Sequence, residues 1–478
     1  MSSIRSNLKI SAVWSAVLAI SRVGLQFLST VILAQMLGPD VYGLMGMMAI
    51  FIAVAETLMD AGLGGALIKK KNATPIDYGT LLTYNLSMSV ILYLAIFIAA
   101  PYVSVFYHKP ILTLLLRLYG IVIIVEAFSL VPKVYLMKSL QMKKYAIVSL
   151  LSSAIGLICA IIMAKLKYGV YSLIWQLIIT SIIYSVLLII VSRYRVAFAF
   201  SFHSFKEMFG FGFNTTSANF IKNFAENIFT NVVAKVAPLK ITGYYNQSFK
   251  LQNVVASVQS TIIDSALFPV LSKEEDKRVI DVSVRINYLA AYGALLLYAL
   301  LFFNAPIIIR LMLGEEWVGM IPYFKLLLIG GLFQSFTAFN RNIFKTLAET
   351  LSIVLCELCG LIALVFLLIT MKYGVNAIIY TFIGYTVLRW QVSVILLAYK
   401  KYVNYLSYMK HLLLVLIPPI AAVIVLVYLR FLGNPYFDGA ISSILLVLFL
   451  IVYGESVRNS EYLEFKSLII NSMKRWRR

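Results

Sequence analysis

The chain has 478 residues, 61% of them hydrophobic and 13% charged, with a mean hydropathy of +0.90. Soluble domains run at roughly 45–50% apolar and about 25% charged, so an ordinary soluble enzyme, a disordered protein and a nucleic-acid binder are excluded. The net charge of +21 therefore asks for a membrane explanation, and three cysteines cannot build a disulfide framework.

Apolar runs of about 18 residues or more recur along the chain, each long enough to cross ~30 Å of hydrocarbon as a helix. In chain order they cover 10–36, 41–64, 79–100, 110–132, 145–165, 170–192, 210–236, 244–272, 284–306, 322–342, 349–370, 374–398, 411–431 and 438–455, fourteen in all. Backbone in lipid must satisfy its own hydrogen bonds, which makes these runs helices. Strands of a membrane barrel would alternate apolar and polar residues, and these runs do not. Arg5 and Lys9 precede the first run, but it is too long for a signal peptide and no small-residue cleavage site stands out, so it reads as a retained first helix. The tail 457–478 reads as a basic interfacial helix, with Leu463, Phe465, Leu468, Ile469 and Trp476 among Lys466, Lys474, Arg475, Arg477 and Arg478. Anionic membrane lipid would attract it at ~1 kcal/mol per basic residue; a plain topology anchor has the same composition.

The basic residues test the count. With an even number of spans both termini share a side, and, with residues at span ends counted in the adjoining loop, that side receives 27 Lys and Arg against 8 on the other, with 6 deeper inside spans. Such asymmetry is a strong positive-inside signal and predicts that both termini are cytoplasmic. All loops are short, which leaves no soluble domain for chemistry in water.

The chain also resembles itself. At a shift of 200, Arg22 meets Lys222, Gln26 meets Glu226, Thr30 meets Thr230 and Gly43 meets Gly243. At 204, Asp60, Leu63, Leu67 and Lys69 meet Asp264, Leu267, Leu271 and Lys273; at 205, Lys167-Tyr168-Gly169-Val170 recurs as Lys372-Tyr373-Gly374-Val375. A six-helix repeat keeps its orientation in both copies, as in transporters with parallel repeats. The predicted architecture is all-α and polytopic, with about fourteen transmembrane helices in two pseudo-symmetric six-helix lobes. The lobes are 1–200 (helices 1–6) and 201–400 (helices 7–12), followed by helices 13–14 at 401–456 and the tail. Transport sites in such architectures lie between the lobes near the midplane.

A charge at the bilayer centre costs at least ~2.5–3.5 kcal/mol on insertion scales, so each one needs a reason. Arg22 and Lys222 are repeat partners near the middle of their helices. Ser15, Arg22, Gln26 and Ser29 share one face of the first helix, and Thr215, Asn219, Lys222, Glu226 and Thr230 share one face of the seventh. Asn223, Asn227 and Asn231 form a row beside the second stripe. A helix this polar must line protein or a wet cavity. Lys250, and Arg389 further on, add cations. Arg22, Gln26, Asn219, Lys222, Asn223, Glu226, Asn227 and Lys250 are therefore the candidate substrate-binding residues for an anionic, hydroxyl-rich ligand. Phosphate accepts from Lys and Arg, and sugar hydroxyls pair with amides. Lys222 and Glu226, at i,i+4, can equally neutralise each other. Glu56, Asp60 and Asp264 are candidates for ion coupling or gating, with local capping as the alternative for the two aspartates.

Other motifs carry no chemistry. Cys356 and Cys359 lie in an apolar run without two more ligands, and His108, His203 and His411 are isolated, so no metal site or catalytic set is predicted. No P-loop is present. The sequence calls for no cofactor, and energy must come from an ion gradient, the membrane potential or the ligand's own gradient.

The stretch Leu37-Gly38-Pro39-Asp40-Val41-Tyr42-Gly43-Leu44, then Asp60-Ala61-Gly62-Leu63 and Lys69-Lys70-Lys71, resembles the opening of Wzx-type polysaccharide flippases. Gly314-Glu315-Glu316-Trp317 followed by Pro322 is similar to another stretch of that family, especially its colanic-acid-exporter-like branch. The resemblance covers essentially the whole chain and implies membership of the multidrug/oligosaccharidyl-lipid/polysaccharide exporter superfamily. It implies a non-enzymatic flippase in the bacterial inner membrane that moves undecaprenyl-pyrophosphate-linked oligosaccharide to the periplasmic leaflet by alternating access. Exopolysaccharide, capsule or O-antigen (lipopolysaccharide) export would follow, with a polysaccharide polymerase and a chain-length regulator as partners. Arg22, Lys222 and Lys250 sit on helices comparable to those carrying the family's cavity cations. The competing readings are an ion-coupled multidrug antiporter of the same superfamily, which would have a more apolar cavity, and a membrane-embedded glycan polymerase or ligase. The outer loops 101–110 and 305–321 are too short for the latter's catalytic loop.

Overall fold

A computed structural model describes residues 2–194, 198–271, 276–347, 349–428, 439, 441–446 and 448–449, with the side chains of 2–13, 60, 260–271, 276–279 and a few others outside that description. The interfacial tail and half of the last predicted span, including its end 450–455, lie outside the described residues.

Helix α1 (Ser2–Asp60) joins the first two predicted spans into one run, bent at Gly38, whose φ of 69° and ψ of 172° interrupt the helix. Only a residue without Cβ takes that conformation cheaply, and Pro39 next to it has no N–H to give. Ala61 and Gly62, at φ 41° and 74°, end the run before the short α2 (Leu63–Lys69). Helix α3 (Pro75–Tyr107) starts on a capping box: Asp77 N donates to the Thr74 hydroxyl at 3.4 Å, and Asp77 Oδ2 accepts from Thr74 N at 2.8 Å. Proline at N1 pre-sets the first turn. Then follow α4 (Ile111–Lys138), α5 (Met142–Lys165) and α6 (Val170–Ser192). The second half comprises α7 (Phe202–Val236), α8 (Leu239–Leu271), α9 (Asp276–Leu313), α10 (Ile321–Thr346), α11 (Thr350–Glu357), α12 (Cys359–Thr370), α13 (Val375–Tyr399) and α14 (Tyr405–Tyr428). Among the described residues there is no strand, and nine helical stretches are long and apolar enough to cross a bilayer. The fold is all-α and polytopic.

Some of the self-matches have a backbone counterpart. Gly169 and Gly374, offset by 205 in the sequence, both hold positive φ (56° and 89°) immediately before α6 and α13. Where the first copy bends at Gly38-Pro39, the second breaks at Ala237-Pro238 between α7 and α8. A methyl group added to Gly43 would overlap the Leu239 carbonyl oxygen, and one added to Gly243 would overlap the Pro39 carbonyl oxygen. Contacts 43–239 and 243–39 are the exchange that a two-fold relation produces.

Contacts divide the chain into two compact units, 1–247 with 360–378, and 248–359 with 379–478. In the first, α4 packs on α3 and α6, α6 on α5, and α1 on α5 and α7. Leu63, Leu67, Leu81 and Val131 are buried in one of its clusters. There Lys70 reaches Asp77 at 3.1 Å and Glu207, in the first turns of α7, at 2.7 Å. The bond to Glu207 holds the Lys70 ammonium above its ordinary range. In the second unit, α9 packs against α10 and α14 around Tyr292, Ala299, Phe303 and Ala422. Its interior is unusually polar. Asn340 donates to Ser393 Oγ at 2.9 Å and accepts from Tyr408 at 3.0 Å and Asn287 at 3.3 Å.

Candidate functional site

Four helices of the first unit surround a cavity of about 340 Å³, room for about ten waters. Helix α1 brings Arg22 and Glu56; α4 brings Glu126, Ser129 and Lys133, one face by their i, i+3, i+7 spacing. Helix α5 adds Tyr145, Ser149, Ser152 and Ser153, and α6 adds Thr180, Ser181 and Tyr184. Both carboxylates are held in place. Tyr119, itself buried, donates to Glu56 Oε1 at 3.3 Å, and Ser181 donates to Glu126 Oε1 at 3.0 Å. Two cations and two carboxylates face the same small space. Their formal charges cancel, which offsets the cost of placing each one in the span.

Arg22 and Glu56 carry different roles in the sequence reading, substrate contact and ion coupling, and the structure lines one cavity with both. Gln26, one turn beyond Arg22, is exposed. On α7, Asn219 and Lys222 are half-buried and Glu226 is buried. Asn223 donates to Thr57 Oγ1 of α1 at 3.0 Å, and Asn227 donates back to the Asn223 carbonyl at 2.8 Å. Asn231 inserts into the α1 backbone, donating to the Met47 carbonyl at 2.9 Å and accepting from Ile50 N at 3.3 Å. Asn223 and Asn231 thus tie α7 to α1. Lys250, in the second unit, is exposed. The side chains of Asp60 and Asp264 lie outside the described residues.

Sequence reasoning gave Glu126 no role and passed over Lys133 and the α5–α6 hydroxyls. A signal was present: Ser149, Ser152 and Ser153 on one face, followed by Thr180 and Ser181, make a hydroxyl stripe in otherwise apolar spans. Arg389, read as a further cavity cation, is buried and lies 2.8 Å from Glu357, which also meets Arg341 at 3.6 Å. Glu357 closes α11 at the one-residue interruption before α12. The flanking Cys356 and Cys359 are buried, and no group of three or more His, Cys, Asp and Glu that could hold a metal ion occurs among the described residues. The second unit holds a different space, about 500 Å³, walled by apolar side chains of α9, α10 and α14 such as Leu295, Phe302, Leu332, Phe333 and Ile424.

Residues 32–322 match the family model described as polysaccharide biosynthesis protein. The chain belongs to that family. It is 24% identical over 412 residues to the lipopolysaccharide biosynthesis protein WzxC of Escherichia coli (strain K12), covering 81% of this chain and 82% of that one. It is 23% identical over 320 residues to the succinoglycan biosynthesis transport protein ExoT of Rhizobium meliloti (strain 1021), covering 66% and 64%. Among solved structures, the inward closed conformation of the lipid II flippase MurJ superposes with a TM-score of 0.69 at 13% identity, over 94% of this chain and 99% of that one. The family is the Wzx-type branch of polysaccharide transporters that the Gly38 motif resembles, a family of transporters and not of catalysts.

Proposed function

We propose that the chain flips undecaprenyl-pyrophosphate-linked oligosaccharide repeat units from the cytoplasmic to the periplasmic leaflet of the bacterial inner membrane. The lobes 1–200 and 201–400 alternate their access, and both termini are cytoplasmic. Exported units feed a polysaccharide polymerase and a chain-length regulator. The observation that carries the reading is the polar cavity itself: Arg22 and Lys133 are set among carboxylates and hydroxyls inside helices otherwise apolar enough to span a bilayer. The drug-antiporter reading calls for a more apolar cavity with fewer cations than the one that holds Arg22 and Lys133.

In this mechanism Arg22, Lys222 and Lys250 engage the substrate at its pyrophosphate or its sugars, with Gln26, Asn219, Asn223, Glu226 and Asn227 alongside them. Glu56, with Asp60 and Asp264, couples or gates the cycle. Flippase-deficient cells that make a repeat unit the wild-type chain exports provide the test. Arg22→Ala and Lys222→Ala should each cut surface glycan at least ~tenfold, about 1.4 kcal/mol of lost interaction, at unchanged protein level. Normal export by both variants would overturn the reading.

A further inference from the structure

We propose that the cavity bounded by α1, α4, α5 and α6 is a subsite for a single neutral sugar ring. The proposal rests on the reading of the substrate as a glycan and gives this cavity its occupant. The lining offers both acceptors and donors. Ser129 donates its hydroxyl hydrogen to the Glu126 carbonyl at 2.8 Å, Ser152 to the Val148 carbonyl at 2.9 Å and Ser153 to the Ser149 carbonyl at 2.9 Å. Those hydrogens stay within their own helices, so the oxygens present only lone pairs elsewhere. Glu56 and Glu126 add carboxylate acceptors, while Arg22 and Lys133 supply donors. A polyol matches this pattern, because each of its hydroxyls donates once and accepts twice.

Size and charge narrow the choice. A volume of about 340 Å³ is far more than a proton or a bare cation held by oxygens at roughly 2.3–2.6 Å occupies. It accommodates one sugar ring and is too small for a whole repeat unit. Tyr145 and Tyr184 add aromatic surface for the apolar face of a ring. A uronic acid would set a third carboxylate beside Glu56 and Glu126, so the neutral ring is preferred.

Saturation-transfer NMR on the full-length protein in nanodiscs tests this, with methyl β-D-glucopyranoside and methyl N-acetyl-β-D-glucosaminide as neutral probes and methyl β-D-glucuronide as the acidic one. Wild type should transfer to the neutral ring protons and not to the glucuronide. Ser153→Trp, which fills the cavity, should abolish the signal. Glu126→Gln should weaken neutral-probe binding about three- to tenfold and admit the glucuronide, an outcome that a merely structural role for Glu126 does not produce. Saturation equal in wild type and Ser153→Trp, or equal for neutral and acidic probes, overturns the subsite. If those signals fail while wild-type cells still export glycan, the subsite falls alone; if wild type exports no repeat unit, the flippase reading falls instead.

Discussion

Glu357 is fully buried, and its carboxylate accepts a hydrogen bond from Arg389 at 2.8 Å. Removing one partner of such a pair leaves the other charge buried without compensation, at about 3–5 kcal/mol. Glu357→Ala should therefore lower the melting temperature of the purified protein sharply. Glu357→Gln, which keeps the shape and one acceptor, should lower it less. Equal melting of both variants and wild type would show that the guanidiniums do not depend on this carboxylate. The pair also marks the limit of what residues reveal in sequence. Arg389 was legible as a costly charge, but its partner lies 32 positions away on another helix, and periodicity does not say which helices adjoin. Glu126 escaped for the same reason: its cavity needs α1, α4, α5 and α6 together. Arg22 and Glu56 were found because each is anomalous on its own helix.

Elements were far more legible than contacts. The spans 145–165, 170–192 and 374–398 lie within a few residues of α5, α6 and α13, because polar or glycine-bearing loops bound each apolar run. The bend in α1 was foreshadowed by Gly38-Pro39, though the sequence could not say that the helical run continues through it. The Gly43–Gly243 match, read as a repeat signal, has a packing cause: each glycine admits the carbonyl of the other copy's segment. Gly43→Ala and Gly243→Ala should each force the two segments apart, costing about 1–3 kcal/mol as overpacking and lowering melting temperature and export together. Gly24→Ala is the control, since nothing lies within 4 Å of an added Cβ there and alanine favours a helix by about 1 kcal/mol. Comparable losses at all three positions would mean that the tight crossing is not what the repeat preserves.

At the scale of the molecule, charge predicts sidedness. Lys69 ends α2 and Lys70 and Lys71 follow it, whereas the segments joining α3 to α4, α5 to α6 and α12 to α13 hold only Lys109, Lys167 after the terminal Lys165 of α5, and Lys372. Basic loops stay on the side of synthesis because moving each charge across hydrocarbon opposes insertion. Single cysteines placed in a background lacking Cys159, Cys356 and Cys359 read this out. A membrane-impermeant maleimide added to cells with a permeabilised outer membrane should label Lys109→Cys, Lys167→Cys and Lys372→Cys. It should reach Asn72→Cys and Lys401→Cys only after the inner membrane is opened. His108, Lys167 and Lys401 hold positive φ at loop ends; among these, Lys167→Cys and Lys401→Cys should be confirmed for expression first. Labelling of Asn72→Cys in sealed cells would reverse the topology and put Arg22, Glu56 and their cavity in the opposite orientation to that required for outward export. Labelling on both sides of one span would show that the alternation is broken there, and with it the equal orientation of the two copies on which the six-helix repeat depends.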